Sequence, residues 1–119
     1  MSVSKEYADF IYERLEPLGH IVMRRMFGAM GIYCGQLFFA IVSDNVLYLK
    51  VDEENIGDFQ EAGMEPFRPY GDDGPPMKYY EVPANVIEND DLLLHWAGKA
   101  VNVARRAPIK KKPPRRRTK

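Results

Sequence analysis

Apolar residues recur at helical spacing near the start of the chain. Tyr7, Phe10, Ile11, Leu15 and Leu18 fall on one side of a helix, and Lys5, Asp9, Glu13 and Glu16 fall elsewhere. Ser4 can cap the free N–H groups of the first turn, and Gly19 can take the positive φ that closes a helix, so a helix is predicted from Ser4 to Leu18. From Ile21 to Val51 the period changes. Runs rich in Ile, Val, Phe and Tyr at Ile32 to Cys34, Leu37 to Val42 and Val46 to Val51 predict an antiparallel meander. Gly35-Gln36 suits a two-residue hairpin, and Ser43-Asp44-Asn45 a slightly longer loop. In the last run Leu47, Leu49 and Val51 point one way while Val46, Tyr48 and Lys50 point the other.

Asp52 can cap a second, short helix with the apolar stripe Ile56, Phe59 and Ala62. Gly63 would close it, Met64 supply the accompanying contact and Pro66 prevent continuation. Phe67 to Tyr70 and Met77 to Val82 read as two more strands around a loop of Gly, Asp and Pro at 71–76. The clearest pattern comes last. A helix starting at Asp90 or Asp91 carries Leu93, Trp96, Ala97, Ala100, Val101 and Ala104 on one stripe, with Arg105 and Arg106 in its final turn and Pro108 beyond it. The order helix, three strands, helix, two strands, helix predicts a two-layer α+β domain.

The length of 119 residues suits a single domain, placed at 1–107, followed by a basic tail at 108–119. With one aliphatic residue among Lys, Arg, Pro and Thr, that tail is expected to be disordered. The formal net charge of zero conceals a division. Nine of the 17 basic residues lie from Arg105 onward, where there is no acid, which leaves −9 on residues 1–104 and +9 on the rest. The single Cys, the absence of an apolar leader at the N-terminus and the lack of any apolar run near the ~18 residues of a spanning helix make a cytoplasmic, non-membrane protein the expectation.

Several ordered segments carry a resemblance. They are Arg25-Met26-Phe27-Gly28-Ala29-Met30-Gly31-Ile32-Tyr33, Phe39-Ala40-Ile41-Val42, Leu47-Tyr48-Leu49-Lys50, Gly63-Met64-Glu65-Pro66-Phe67 and Tyr79-Tyr80-Glu81-Val82-Pro83. In order and spacing the region from about Ile21 to Arg105 resembles the TfoX N-terminal domain, a family named for a bacterial regulator of natural competence. The resemblance implies a fold similar to type III secretion chaperones, with an antiparallel sheet of about five strands and helices on one side. It also implies a non-enzymatic regulatory or protein-interaction module in transcriptional or competence regulation. Ala29 stands where the family often has a second glycine, and nothing after Arg106 has the composition of a second folded domain.

The residues themselves offer little chemistry. Met26-Phe27-Gly28-Ala29-Met30-Gly31 lacks the Lys-Ser or Lys-Thr of a phosphate loop, and its glycines are read as allowing a bend or bulge at a strand start. His20, His95 and Cys34 show no metal-ligand spacing, so no metal, no cofactor and no catalytic residue is assigned. A protein partner is expected to meet exposed aromatic or apolar side chains, with Phe27, Met30, Tyr33, Tyr48, Tyr79 and Tyr80 as candidates. The alternatives are nucleic-acid binding through Arg105, Arg106, Lys110, Lys111, Lys112, Arg115, Arg116 and Arg117, and a small-molecule enzyme of unrecognised type. The sequence leaves homodimerisation open.

Overall fold

The computed structural model describes residues 3–26, 28–69, 71, 74 and 76–107. Helix α1 (Lys5–Leu15) runs into a 3-10 turn (Glu16–Leu18), followed by strands β1 (Ile21–Met26), β2 (Ala29–Cys34), β3 (Leu37–Ser43) and β4 (Val46–Lys50). Helix α2 (Ile56–Glu61), strand β5 (Tyr79–Glu81), the single turn α3 (Ala84–Ile87) and the long helix α4 (Asp90–Arg106) complete the chain. The five strands form one antiparallel sheet in the order β1-β2-β3-β4-β5, so the fold is α+β as expected.

The identity of the five strands differs from the sequence reading. Ile21 to Met26 forms a full strand paired with β2 from Ile21↔Cys34 to Met26↔Ala29. Its apolar alternation was hidden by Arg24 and Arg25, which are tolerable because β1 is an edge strand. Gly28, at φ 80, sits in the turn of this β1–β2 hairpin instead of in a bulge. Conversely, Phe67 to Tyr70 is no strand over its described residues. Its pairing reduces to a bridge between Pro66 and Tyr80 and to Phe67, which donates to the Tyr79 carbonyl and accepts from the Met77 N–H. Pro66 and Pro69 have no N–H with which to extend a ladder.

Local chemistry explains the turns. Gly35 takes φ 62 between paired Cys34 and Leu37, as a two-residue hairpin demands. The β3–β4 connection is tighter than expected, because Ser43 pairs with Val46 and only Asp44 and Asn45 lie between, both at positive φ (55 and 58). These are residues that tolerate the left-handed region. The Asn45 side chain also accepts the Ser4 N–H at 2.9 Å, tying the start of α1 to this turn. Ser4 caps α1 through the Tyr7 N–H; α4 starts at Asp90 as expected and is capped by Asn89 through the Leu92 N–H. Gly63, at φ 75, closes α2, and the Met64 N–H reaches back to the Phe59 carbonyl at 3.0 Å.

All four helices pack on one face of the sheet. Ile11 and Leu15 of α1 and Leu93, Ala97, Ala100 and Val101 of α4 share a buried cluster with Ile32, Ala40, Val42, Leu47 and Leu49 of the strands. One polar residue, Asn55, is buried with them at 2% exposure. Its amide donates to the Lys50 carbonyl at 3.0 Å and accepts from the Asp52 N–H at 2.9 Å, so it joins the end of β4 to the start of α2. Asn55→Ala leaves both backbone groups without that partner and should cost about 1–3 kcal/mol. The measurement is a lowered midpoint of denaturant unfolding with an unchanged slope.

Candidate functional site

The second face of the sheet carries a separate cluster in which, among the described residues, no helical residue takes part. Ala29, Ile41 and Tyr79 form its buried floor, and Phe38, Tyr48 and Phe67 pack against them, half-buried. The rings form two groups, Tyr33, Phe38 and Tyr79 in one and Tyr48 and Phe67 in the other. Tyr33 stacks on Phe38 with centroids 4.9 Å apart, Phe38 meets Tyr79 at 5.6 Å, and Tyr48 meets Phe67 at 4.8 Å. Two cations lie over this surface, Arg24 at 5.7 Å from the Tyr33 ring and Lys50 at 5.1 Å from the Tyr79 ring.

A register irregularity builds this face. Tyr33 pairs with Phe38 and Ile32 with Ala40, so Phe39 is an extra residue in β3. Phe39 and Ala40 both belong to the helix-side core, while Phe38 and Ile41 belong to the aromatic face. Gly31 leaves room beneath Phe38: a Cβ there would lie 2.8 Å from the Met26 Cε and 3.0 Å from Phe38 Cε1, so both side chains would have to shift.

Of the candidate partner residues, Tyr33 and Tyr48 lie half-buried on this face. Tyr79 is on it too, but at 3% exposure it is floor and not contact surface. Met30, at 8% exposure, faces the helices, and Tyr80 does the same, its ring 5.9 Å from Phe59. Neither can meet a partner on the aromatic face, since alternation along β2 and β5 sends them through to the other layer. Phe27 lies outside the described residues. Phe38, Phe67, Arg24 and Lys50 are the members that sequence reading missed. Phe38 depended on the bulge and Phe67 on a bridge held by prolines; Lys50 read as the polar side of a strand, and Arg24 lay in a stretch whose strand the sequence did not reveal.

Among the basic candidates, Arg105 and Arg106 are in the last turn of α4, and residues 110–117 lie outside the described residues. Arg105 donates to the Asn102 side chain at 2.8 Å. Arg106 donates to both carboxylate oxygens of Asp52, at 3.2 and 3.0 Å. Burial works to raise the Asp52 carboxyl, but the Glu54 N–H, Arg106 and Lys50 together outweigh it and hold the group below its ordinary value. No group of three or more His, Cys, Asp or Glu side chains among the described residues could hold a metal ion. No helix of the described residues is long and apolar enough to cross a membrane.

A family model described as the TfoX N-terminal domain matches residues 13–104, most of the chain. No curated protein matches it.

The tyrosines give the face a titration signature. Burial raises the phenols of Tyr79 and Tyr48, with the neighbouring Tyr33 adding to the first and the Glu81 carboxylate to the second. A phenol whose folded value lies above its unfolded one contributes stability that is complete below pH about 10 and is lost as pH rises toward the folded value. In an alkaline titration followed by phenolate absorbance, Tyr79 should ionise last. Tyr79→Phe should remove that component and flatten the fall in stability above pH about 10.

Proposed function

The chain belongs to the TfoX N-terminal domain family, and from that membership we propose that it is a non-enzymatic regulatory module that binds a protein partner through the aromatic face of its sheet. The observation that carries this reading is the set of rings itself. Tyr33, Phe38, Tyr48 and Phe67 are half-buried; the last three belong to a cluster with no helical member among the described residues, Tyr33 stacks on Phe38, and a guanidinium and an ammonium lie beside the rings. Tyr and Arg on a packed floor have the composition of binding hot spots: they offer large area, few rotatable bonds and a polar tip for specificity. Buried Ala29, Ile41 and Tyr79 hold the rings in place, so little ordering is left to be done on binding. From the family membership, the process it would regulate is competence or transcription.

The test is genetic and structural together. In a host strain lacking the gene, the wild-type protein should restore the altered transcript profile, and Tyr33→Ser and Tyr48→Ser should not, while both variants keep a cooperative unfolding transition. Full restoration by both variants rejects the face as the functional surface.

A second reading, phosphate binding by the basic residues from Arg105 onward, is supported by nine positive charges with no acid among them. Fluorescence anisotropy with duplex DNA distinguishes it. Affinity should fall steeply with salt and vanish in a chain ended at Ala107; equal, salt-insensitive affinities reject it.

A further inference from the structure

A cleft of about 470 Å³ lies on the helix layer, between the 3-10 turn at Leu18 and one side of α4. Its apolar wall comes from Leu18, Cys34, Leu94 and Val101, and its polar side from His95, Lys99, Asn102 and Arg105. The volume falls within the range of small-molecule sites, but the cleft is open and nearly half of its lining is polar, so it suits a ligand that keeps a polar head toward solvent.

Two features indicate what it would hold. The first is charge. Residues 1–104 carry −9, yet among the described residues no Asp or Glu lines this cleft, while a guanidinium, an ammonium, an imidazole and a carboxamide do. Lys99 is already engaged by Asp58 at 2.7 Å, so the Arg105 end is the better place for an anionic head. There Arg105 donates one N–H to Asn102 at 2.8 Å, which orients the fork, and the guanidinium has further N–H groups to offer. The second feature is a gap in the helix. Gly98 is interior to α4 and lines the cleft, and a Cβ built on it meets nothing within 4 Å. Glycine inside a helix is destabilising relative to alanine. Alanine would fit here and strengthen the helix, so the chain accepts a weaker helix where the cleft is open.

We propose that this cleft binds a small amphipathic anion, a carboxylate with an apolar tail, its head on Arg105 and Asn102 and its tail along Leu18, Leu94 and the open surface of Gly98. The site lies across the sheet from the aromatic face and makes the regulatory module responsive to a ligand. The thiol of Cys34 is the only one in the chain and lies in the cleft wall, which supplies a direct reporter.

The experiment uses the full chain with decanoate as probe and decanol as its uncharged counterpart. Binding is read by calorimetry and by the rate of Cys34 alkylation with N-ethylmaleimide. Decanoate should bind at low millimolar concentration or better and slow alkylation, and decanol should do neither. Arg105→Gln should weaken decanoate binding about tenfold, as expected for loss of one charge-assisted hydrogen bond. Gly98→Leu should abolish calorimetric binding without lowering the thermal midpoint. Absence of binding, equal binding of decanol, or unchanged affinity in Arg105→Gln overturns the proposal. Should Gly98→Leu fail to fold, Arg105→Gln still decides, because that side chain is at the surface and its loss removes no core contact.

Discussion

Three alanines let α4 lie close against the sheet. Ala97 and Ala100 on the helix and Ala40 on β3 are each fully buried, and larger neighbours such as Leu93, Val42 and Leu49 belong to the same cluster. Short side chains at the centre of the contact bring backbones near, and long ones around it exclude water. The remaining helices depend on this contact. α1 and α3 pack on α4, and ion pairs from Lys99 to Asp58 and from Arg106 to Asp52 fasten the α2 region to the same helix. A bulky side chain at Ala40 or Ala97 would therefore displace a whole layer. Because the apolar stripes of α1 and α4 are spent on one face of the sheet, the other face is covered, among the described residues, by its own rings and one extended segment.

Periodicity revealed this asymmetry only in part. The stripe of α4 was legible because Leu93, Ala97, Ala100 and Val101 repeat at helical spacing over several turns, and all four are buried. The Gly35 hairpin and the Gly63 cap were legible from turn chemistry. The β1 strand was not, since Arg24 and Arg25 interrupt its apolar run, and only an edge position makes both acceptable. α3 is a single turn following Pro83, too short to show a period. For the aromatic face, sequence pointed to tyrosines as a class but could not sort them. Tyr79 and Tyr80 are neighbours with opposite destinations, and the bulge at Phe39 breaks the alternation that would have placed Phe38.

The two candidate surfaces meet at one strand. Tyr33 and Cys34 are consecutive in β2, the first among the rings and the second in the wall of the cleft. Gly19 abuts this point: a Cβ on it would lie 3.4 Å from the Cys34 sulfur, and its φ of 145 is one that side chains rarely adopt. A ligand in the cleft and a partner on the rings would thus press on opposite sides of a single residue pair. Their binding energies are coupled to the extent that each prefers a different placement of that strand.

The outer edge of β1 has a consequence for self-association. Among the described residues no strand pairs with it, so its backbone groups are available to extend the sheet. Arg24 and Arg25 are both exposed there and, being consecutive, project to opposite faces. Two copies meeting antiparallel along this edge would crowd guanidinium groups above and below the junction. A strand bearing carboxylates would meet complementary charge on both faces. Two adjacent residues thus give the edge positive charge on both faces of the sheet, which would disfavour a second copy and favour an acidic strand.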